Sequence, residues 1–164
     1  MKLINTFVIV MLLFPLMLFA QADNIIIDAD TDHEHDDVLA ISAAFESEKL
    51  NIIGLTSAQW TRRMKDNYKL RNSAYTSWLL NRLTFELLGK GNISCMKGNE
   101  LPVSYKGSAH DNIMPSSEAV DFIIQRVKET HDNRKFVIVS ISSLTNVASA
   151  VMSKPDIANN IALY

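Results

Sequence analysis

Between Asp28 and Asp37 the chain carries six carboxylates (Asp28, Asp30, Asp32, Glu34, Asp36 and Asp37), with His33 and His35 interleaved. So many like charges in one loop repel each other unless a positive group sits among them. A hard cation such as Ca²⁺, which takes several oxygen ligands at once, is the natural guest. The plainer reading is a solvated turn whose acids suit the positive N-terminal end of a following helix. The two histidines beside acids raise Zn²⁺ or Mn²⁺ as a further guest. They are read instead as solvent-facing side chains of the loop.

The flanking sequence says where this loop stands. Ile25 to Ile27 is a short, uninterrupted β-branched run, the signature of a buried parallel strand. Val38, Leu39, Ala40, Ile41, Ala43 and Ala44 then resume an apolar pattern that predicts a helix over Asp36 to Phe45. The acids therefore mark the end of a strand and the start of a helix, the crevice in which open α/β sheets bind ligands.

Strand and helix signals alternate along the rest of the chain. Asn51 to Thr56 (NIIGLT) predicts a second buried strand, and a polar, basic stretch from Gln59 to Lys69 follows. Apolar residues at Leu70, Ala74, Trp78, Leu79, Leu83 and Leu87 recur at helical spacing, and Gly89 and Gly91 stop that helix. Asn92 to Met96 predicts a short strand. A polar loop runs from Gly98 to Pro115, and Ser116 or Ser117 can cap a helix from Glu118 to Thr130 with Ala119, Phe122, Ile123 and Val127 on its apolar face. Phe136 to Ile141 (FVIVSI) predicts a strand, Ser142 to Asn146 a turn into a helix through Val151, and Ile161 to Tyr164 a strand just beginning. The pattern implies an α/β fold, a mostly parallel sheet with flanking helices. A strand starting at the last residues reads as a chain truncated at its C-terminus.

With 164 residues, nearly half of them apolar, and a net charge of −2, the chain is of globular class with about one domain. No basic surplus points to nucleic acid or an anionic membrane. Residues 1–22 read as a signal peptide. Lys2 gives the positive start, Phe7 to Phe19 is apolar but short for a membrane span, and Ala20-Gln21-Ala22 offers a small-x-small cleavage site. Residues 23–164 would then be an exported domain with no stable membrane anchor. Cys95 is the single cysteine, so no internal disulfide forms, and its apolar neighbours Ile93 and Met96 place it in the core rather than as a nucleophile.

The segment IIIDADTDHEHDDVLAI resembles the N-terminal signature of the nucleoside hydrolase family of inosine-uridine-preferring type: a hydrophobic strand, Asp-x-Asp, a loop, then Asp-Asp-x-x-Ala. A longer-loop form of that signature matches the spacing without a gap. Ser143-Leu144-Thr145-Asn146 resembles the family's Gly-Pro-Leu-Thr-Asn turn, and IIGLTSAQW (Ile52 to Trp60) and SSEAVDFII (Ser116 to Ile124) are lesser matches.

The resemblance implies a Rossmann-like nucleoside hydrolase fold and a calcium-dependent N-ribosyl hydrolase acting on a small-molecule nucleoside, with homo-oligomers common in the family. By position, Asp30 and Asp37 would be metal ligands together with the backbone carbonyl of Thr145. Asp30 would also be the general base, and Asp36 would hydrogen-bond the ribose hydroxyls. The register can also slide so that Asp30-Thr31-Asp32 matches Asp-x-Asp, making Asp32 the base. Asp30 is preferred because a strand ending at Ile27 makes Asp28 the first residue of the crevice. Ser142-Ser143 in place of Gly-Pro bears on the position of the Thr145 carbonyl. The family's later metal-binding Asp and base-contacting residues belong to a C-terminal part that this sequence lacks.

Two other readings compete. A haloacid-dehalogenase-type phosphatase also ends its first strand in Asp-x-Asp and binds a divalent cation, with Ser140 or Ser142 available as its second motif. An exported protein that binds a sugar or nucleoside without turning it over would keep the acidic crevice. An EF-hand loop is excluded, since His33 stands where it needs Gly and Leu39 where it needs the bidentate Glu. His110-Asp111, Asn72, and Arg62, Arg63 and Lys65 read as exposed surface.

Overall fold

A computed structural model describes residues 24–33, 35–60, 72–103, 116–130 and 134–164. Its five strands form one sheet with every neighbouring pair parallel. They are β1 (Asn24–Ala29), β2 (Asn51–Ser57), β3 (Ser94–Met96), β4 (Phe136–Ser140) and β5 (Ile161–Leu163). Between them lie α1 (Asp36–Glu46), α2 (Ser73–Leu87), α3 (Glu118–Lys128) and α4 (Thr145–Ser153), and a 3-10 helix (Pro155–Asn160) leads into β5. The strand order is β3-β2-β1-β4-β5. The chain builds outward from β1 to β3, then crosses back to place β4 on the other side of β1. The strand order reverses between β1 and β4, so the crevice at their carboxyl ends is the expected ligand site.

The three isoleucines of β1 show why the run is unbroken. Successive side chains in a strand point to opposite faces. Ile26 packs with Val120, Ile123, Val127, Ile138 and Val147, beneath α3 and α4. Ile25 and Ile27 pack on the other face with Ile41, Leu55 and Phe85, beneath α1 and α2. A strand covered on both faces needs apolar residues at every position, and each full burial contributes roughly 1.5–3 kcal/mol. Gly54 in β2 makes room for the Phe122 ring, which lies 2.6 Å from where a Cβ would stand.

Several boundaries differ from the sequence reading for physical reasons. β1 does not end at Ile27 but continues through Ala29, because the Asp28 carboxyl finds buried hydrogen-bond donors. The leucines of α2 do not face the core: Leu79, Leu83 and Leu87 are exposed, while Ser73, Ser77, Asn81 and Thr84 are buried beside Ala74 and Phe85. Pro155 starts the 3-10 helix, its fixed φ suiting a first helical position. Ser117 is the cap of α3, its hydroxyl accepting from the Val120 amide at 3.3 Å. Among the described residues no helix is long and apolar enough to cross a membrane. Residues 1–22, Glu34, the basic side chains Arg62, Arg63 and Lys65, and His110-Asp111 lie outside the described residues.

Candidate active site

β1 delivers Asp28 to the carboxyl end of the sheet, fully buried. Its Oδ1 accepts from the Thr56 hydroxyl of β2 at 2.6 Å and from Asn146 Nδ2 of α4 at 2.9 Å. Its Oδ2 accepts from Ser142 Oγ at 3.4 Å and, more weakly, from Ser140 Oγ at 3.5 Å. Burial outweighs these four donors and pushes the carboxyl up to about 6. With both oxygens engaged, Asp28 presents no atom to attack a phosphate, which removes the structural basis of the phosphatase reading.

Asp30 is the first residue past β1 and opens a tight turn closed by a 2.8 Å bond from the His33 amide to the Asp30 carbonyl. Asp is well suited to the first position of such a turn. Asp37 lies in the first turn of α1 and is 8% exposed. Its carboxyl is held up to about 6, by burial first, then by the charges of Asp30 and Asp36 and by a side-chain hydrogen bond with Asp30. Asp30 and Asp37 therefore face each other as a carboxyl pair. Asp36 is exposed on the same helical turn, and His35 caps α1 without a side-chain bond.

The opposite wall is built from the turn after β4. Ser143 Oγ donates to the Gln59 carbonyl at 2.7 Å, and Gln59 Nε2 donates to Thr145 Oγ1 at 3.2 Å. Ser142 Oγ also donates to the Asp28 carbonyl at 3.2 Å. The two serines thus lock this turn to β1 and to the end of β2. Thr145 is buried as the first residue of α4. In a regular helix its carbonyl accepts one amide four residues on, and the second lone pair of that oxygen remains for another partner. Beyond β2, the Trp60 ring lies 4.2 Å from that of His33.

The structure thus brings together two of the predicted ligands, Asp30 and Asp37, with Asp36 next to them and Thr145 at the start of α4. It does not gather all five of the acids that are described, since Asp28 is buried apart among hydroxyl and amide donors. Among the described residues no three His, Cys, Asp or Glu side chains converge as a metal-binding group. Asp32 engages instead through its amide, which donates to Ser77 Oγ at 3.1 Å. The sequence reading missed Thr56 and Gln59 as parts of the site. Thr56 had a usable signal, a polar residue ending an apolar strand, whereas Gln59 had none. A Ca²⁺ ion fits the pair on donor chemistry: two carboxyls drawn together, one of them pushed up to about 6 by burial and by the charge of the other, are hard oxygen donors short of positive charge.

Comparison with known proteins agrees with this architecture. The chain is similar to the solved structure of a plant nucleoside hydrolase, with 25% identity, a TM-score of 0.63, and coverage of 85% of this chain and 46% of that one. It is similar to a purine-preferring ribonucleoside hydrolase from Gardnerella vaginalis, with 27% identity, a TM-score of 0.62, and coverage of 85% and 46%. An inosine-guanosine nucleoside hydrolase shares the fold at 18% identity and a TM-score of 0.63, over 87% of this chain and 48% of that one. The chain thus spans about half the length of these solved relatives. A search of curated proteins finds no match. The model of the inosine-uridine preferring nucleoside hydrolases matches residues 25–164, and the chain belongs to that family.

Proposed function

We propose that the protein hydrolyses the N-glycosidic bond of ribonucleosides, releasing base and ribose, with Ca²⁺ held by Asp30, Asp37 and the Thr145 carbonyl. The observation that carries the reading is the Asp30–Asp37 carboxyl pair at the carboxyl end of β1, beside the point where the strand order reverses. The names of the solved relatives, nucleoside and ribonucleoside hydrolases, support the substrate class. Export after removal of residues 1–22 is part of the proposal, as is assembly with further copies of the chain.

Ca²⁺, when bound, supplies the positive charge that acidifies a water molecule. Asp30 then takes the proton of the attacking water as general base. Asp36, exposed beside the pair, hydrogen-bonds the ribose hydroxyls and orients the sugar. As the bond to the base breaks, its electron pair leaves on the base nitrogen, which takes up a proton from solvent in place of the one Asp30 removed. The ribose becomes oxocarbenium-like, and the carboxylates around it stabilise that charge. Asp28 does not react; buried and fully bonded, it holds the end of β1 against β2 and α4.

The test is ribose release from inosine and from uridine by the protein at its full natural length, with Ca²⁺ and with chelator. Release that stops with chelator and in Asp30→Ala is expected. Loss in Asp32→Ala with Asp30→Ala unaffected would move the base to Asp32. Nucleoside binding without release would overturn the hydrolase in favour of a binding protein.

A further inference from the structure

Helix α2 turns its polar side inward. Ser73, Ser77, Asn81 and Thr84 are buried, while Tyr75, Leu79, Leu83 and Leu87, spaced one turn apart, face outward. For packing alone the reverse arrangement would serve better, since a buried hydroxyl or amide is unfavourable unless hydrogen-bonded. Two of these buried residues converge on one short target. Ser77 Oγ accepts from the Asp32 amide at 3.1 Å, and the Ser77 carbonyl accepts from Thr31 Oγ1 at 3.1 Å. Asn81 Oδ1 accepts from the same threonine hydroxyl at 2.9 Å. Thr31 is only 4% exposed.

Thr31 and Asp32 are the two central residues of the turn that Asp30 opens and His33 closes. With both central residues bonded to one helix, the turn cannot pivot, and the direction of the Asp30 side chain is set from α2. Asp37, in the first turn of α1, shares a side-chain hydrogen bond with Asp30, and a free turn would let the two carboxyls separate. We propose that Ser77 and Asn81, acting through Thr31 and the Asp32 amide, form a positioning clamp that holds Asp30 opposite Asp37 and so preorganises the cation site. The clamp rests on the reading of that pair as a cation site. Partners behind metal ligands commonly change metal affinity on the order of 10–100-fold when removed.

Binding of Tb³⁺ alone tests the clamp, read by tryptophan-sensitised luminescence and by displacement with Ca²⁺. Trp60, whose ring lies tilted against that of His33 three residues from Asp30, is the antenna. Thr31→Val keeps the shape and removes the hydroxyl, while Thr31→Ser restores the hydroxyl. Thr84→Val is the control, because the Thr84 hydroxyl bonds the Leu80 carbonyl of its own helix and does not reach the loop. The expected result is a loss of about tenfold or more in Thr31→Val, with Thr31→Ser and Thr84→Val close to the unaltered protein. If Thr31→Val does not fold, Ser77→Ala is read instead and should also weaken binding. Undiminished binding in Thr31→Val or Ser77→Ala, or an equal loss in Thr84→Val, overturns the clamp while leaving the cation site standing. Absence of Tb³⁺ binding in the unaltered protein overturns the cation site, and the clamp with it.

Discussion

Asn146 Nδ2 donates to Asp28 Oδ1 at 2.9 Å, joining residues 118 apart in the chain. The same nitrogen donates to the Ser57 carbonyl at 2.9 Å. One side-chain amide therefore ties the ends of β1 and β2 to the first turn of α4, where the candidate site lies. Asn146→Leu strands the Ser57 carbonyl and strips Asp28 of a donor, and each buried orphan is worth about 1–3 kcal/mol. Asn146→Asp should be worse, since it sets a second carboxyl against Asp28. Urea unfolding should show a loss of roughly 3 kcal/mol or more for Asp, and less for Leu. A midpoint unchanged in Asn146→Asp would refute the tie.

This tie also marks where the sequence stopped being legible. The β-branched run Ile25 to Ile27 located β1, and the acids after it the crevice, because those signals are local, although the strand itself runs on to Ala29. The roles of Asp30 and Asp37 rest instead on the family signature that the segment resembles, since no local pattern tells one carboxylate of the run from another. The partners of Asp28 lie in β2 and in the turn after β4, and no local pattern announces a hydrogen bond to a residue so distant in sequence. Helix α2 was legible as a helix but not in its orientation. Its leucines repeat with helical period, but periodicity identifies a face without saying which way it points, and here the loop at Thr31 claims the polar face.

Gly98→Ala should destabilise the same corner. The Gly98 amide donates to Ser57 Oγ at 3.0 Å. A Cβ at this position would collide with the Ser57 carbonyl oxygen and lie 2.7 Å from both terminal atoms of the Asn146 amide. Asn146 cannot yield without breaking its bond to Asp28, nor the Ser57 carbonyl without breaking its bond to Asn146. Thermal unfolding should show a loss of about 1–3 kcal/mol. An alanine variant as stable as the original would mean that the corner relaxes freely.

Asp28 makes stability depend on pH in a direction opposite to that of a salt-bridged acid. Its carboxyl keeps its proton up to about 6 in the folded chain and to 3.8 in an ordinary setting. Between those values the folded state binds more protons than the unfolded one, so stability falls as pH rises and levels off above about 6. Two units correspond to about 3 kcal/mol. In Asp28→Asn, Oδ1 still accepts from Thr56 and Asn146, and the new Nδ2 can donate to the hydroxyls of Ser140 and Ser142. Denaturation from pH ~4 to ~8 in chelator should show a shallower slope in Asp28→Asn, keeping only the share due to Asp37. An identical slope in both proteins would remove Asp28 as the cause.

Cys95 should resist thiol reagents in the folded protein. Burial pushes its thiol up to about 12, with Arg82 only partly offsetting the shift, and Sγ lies 3.9 Å from the Trp78 carbonyl. Only the thiolate reacts at useful rates. Labelling at neutral pH should be slow in buffer and rapid in denaturant. Rapid labelling of the folded chain would contradict this placement.

The last prediction concerns protons and the proposed cation together. In the metal-free chain Asp37 stays protonated up to about 6, chiefly through burial and then through the nearby charge of Asp30. The two carboxyls interact, so they titrate as a pair rather than as independent groups. A cation bound between them must displace the shared proton. Below about pH 6 each unit of acidification should therefore weaken Ca²⁺ binding about tenfold, and above that value the affinity should be flat. Calorimetric titration in buffers of different ionisation enthalpy counts the displaced proton directly. About one should be released near pH 5 and almost none near pH 8. Asp37→Asn cannot supply that proton, so it should lose both the pH dependence and most of the affinity. Binding that is independent of pH from 5 to 8, or unaltered in Asp37→Asn, would place the cation elsewhere.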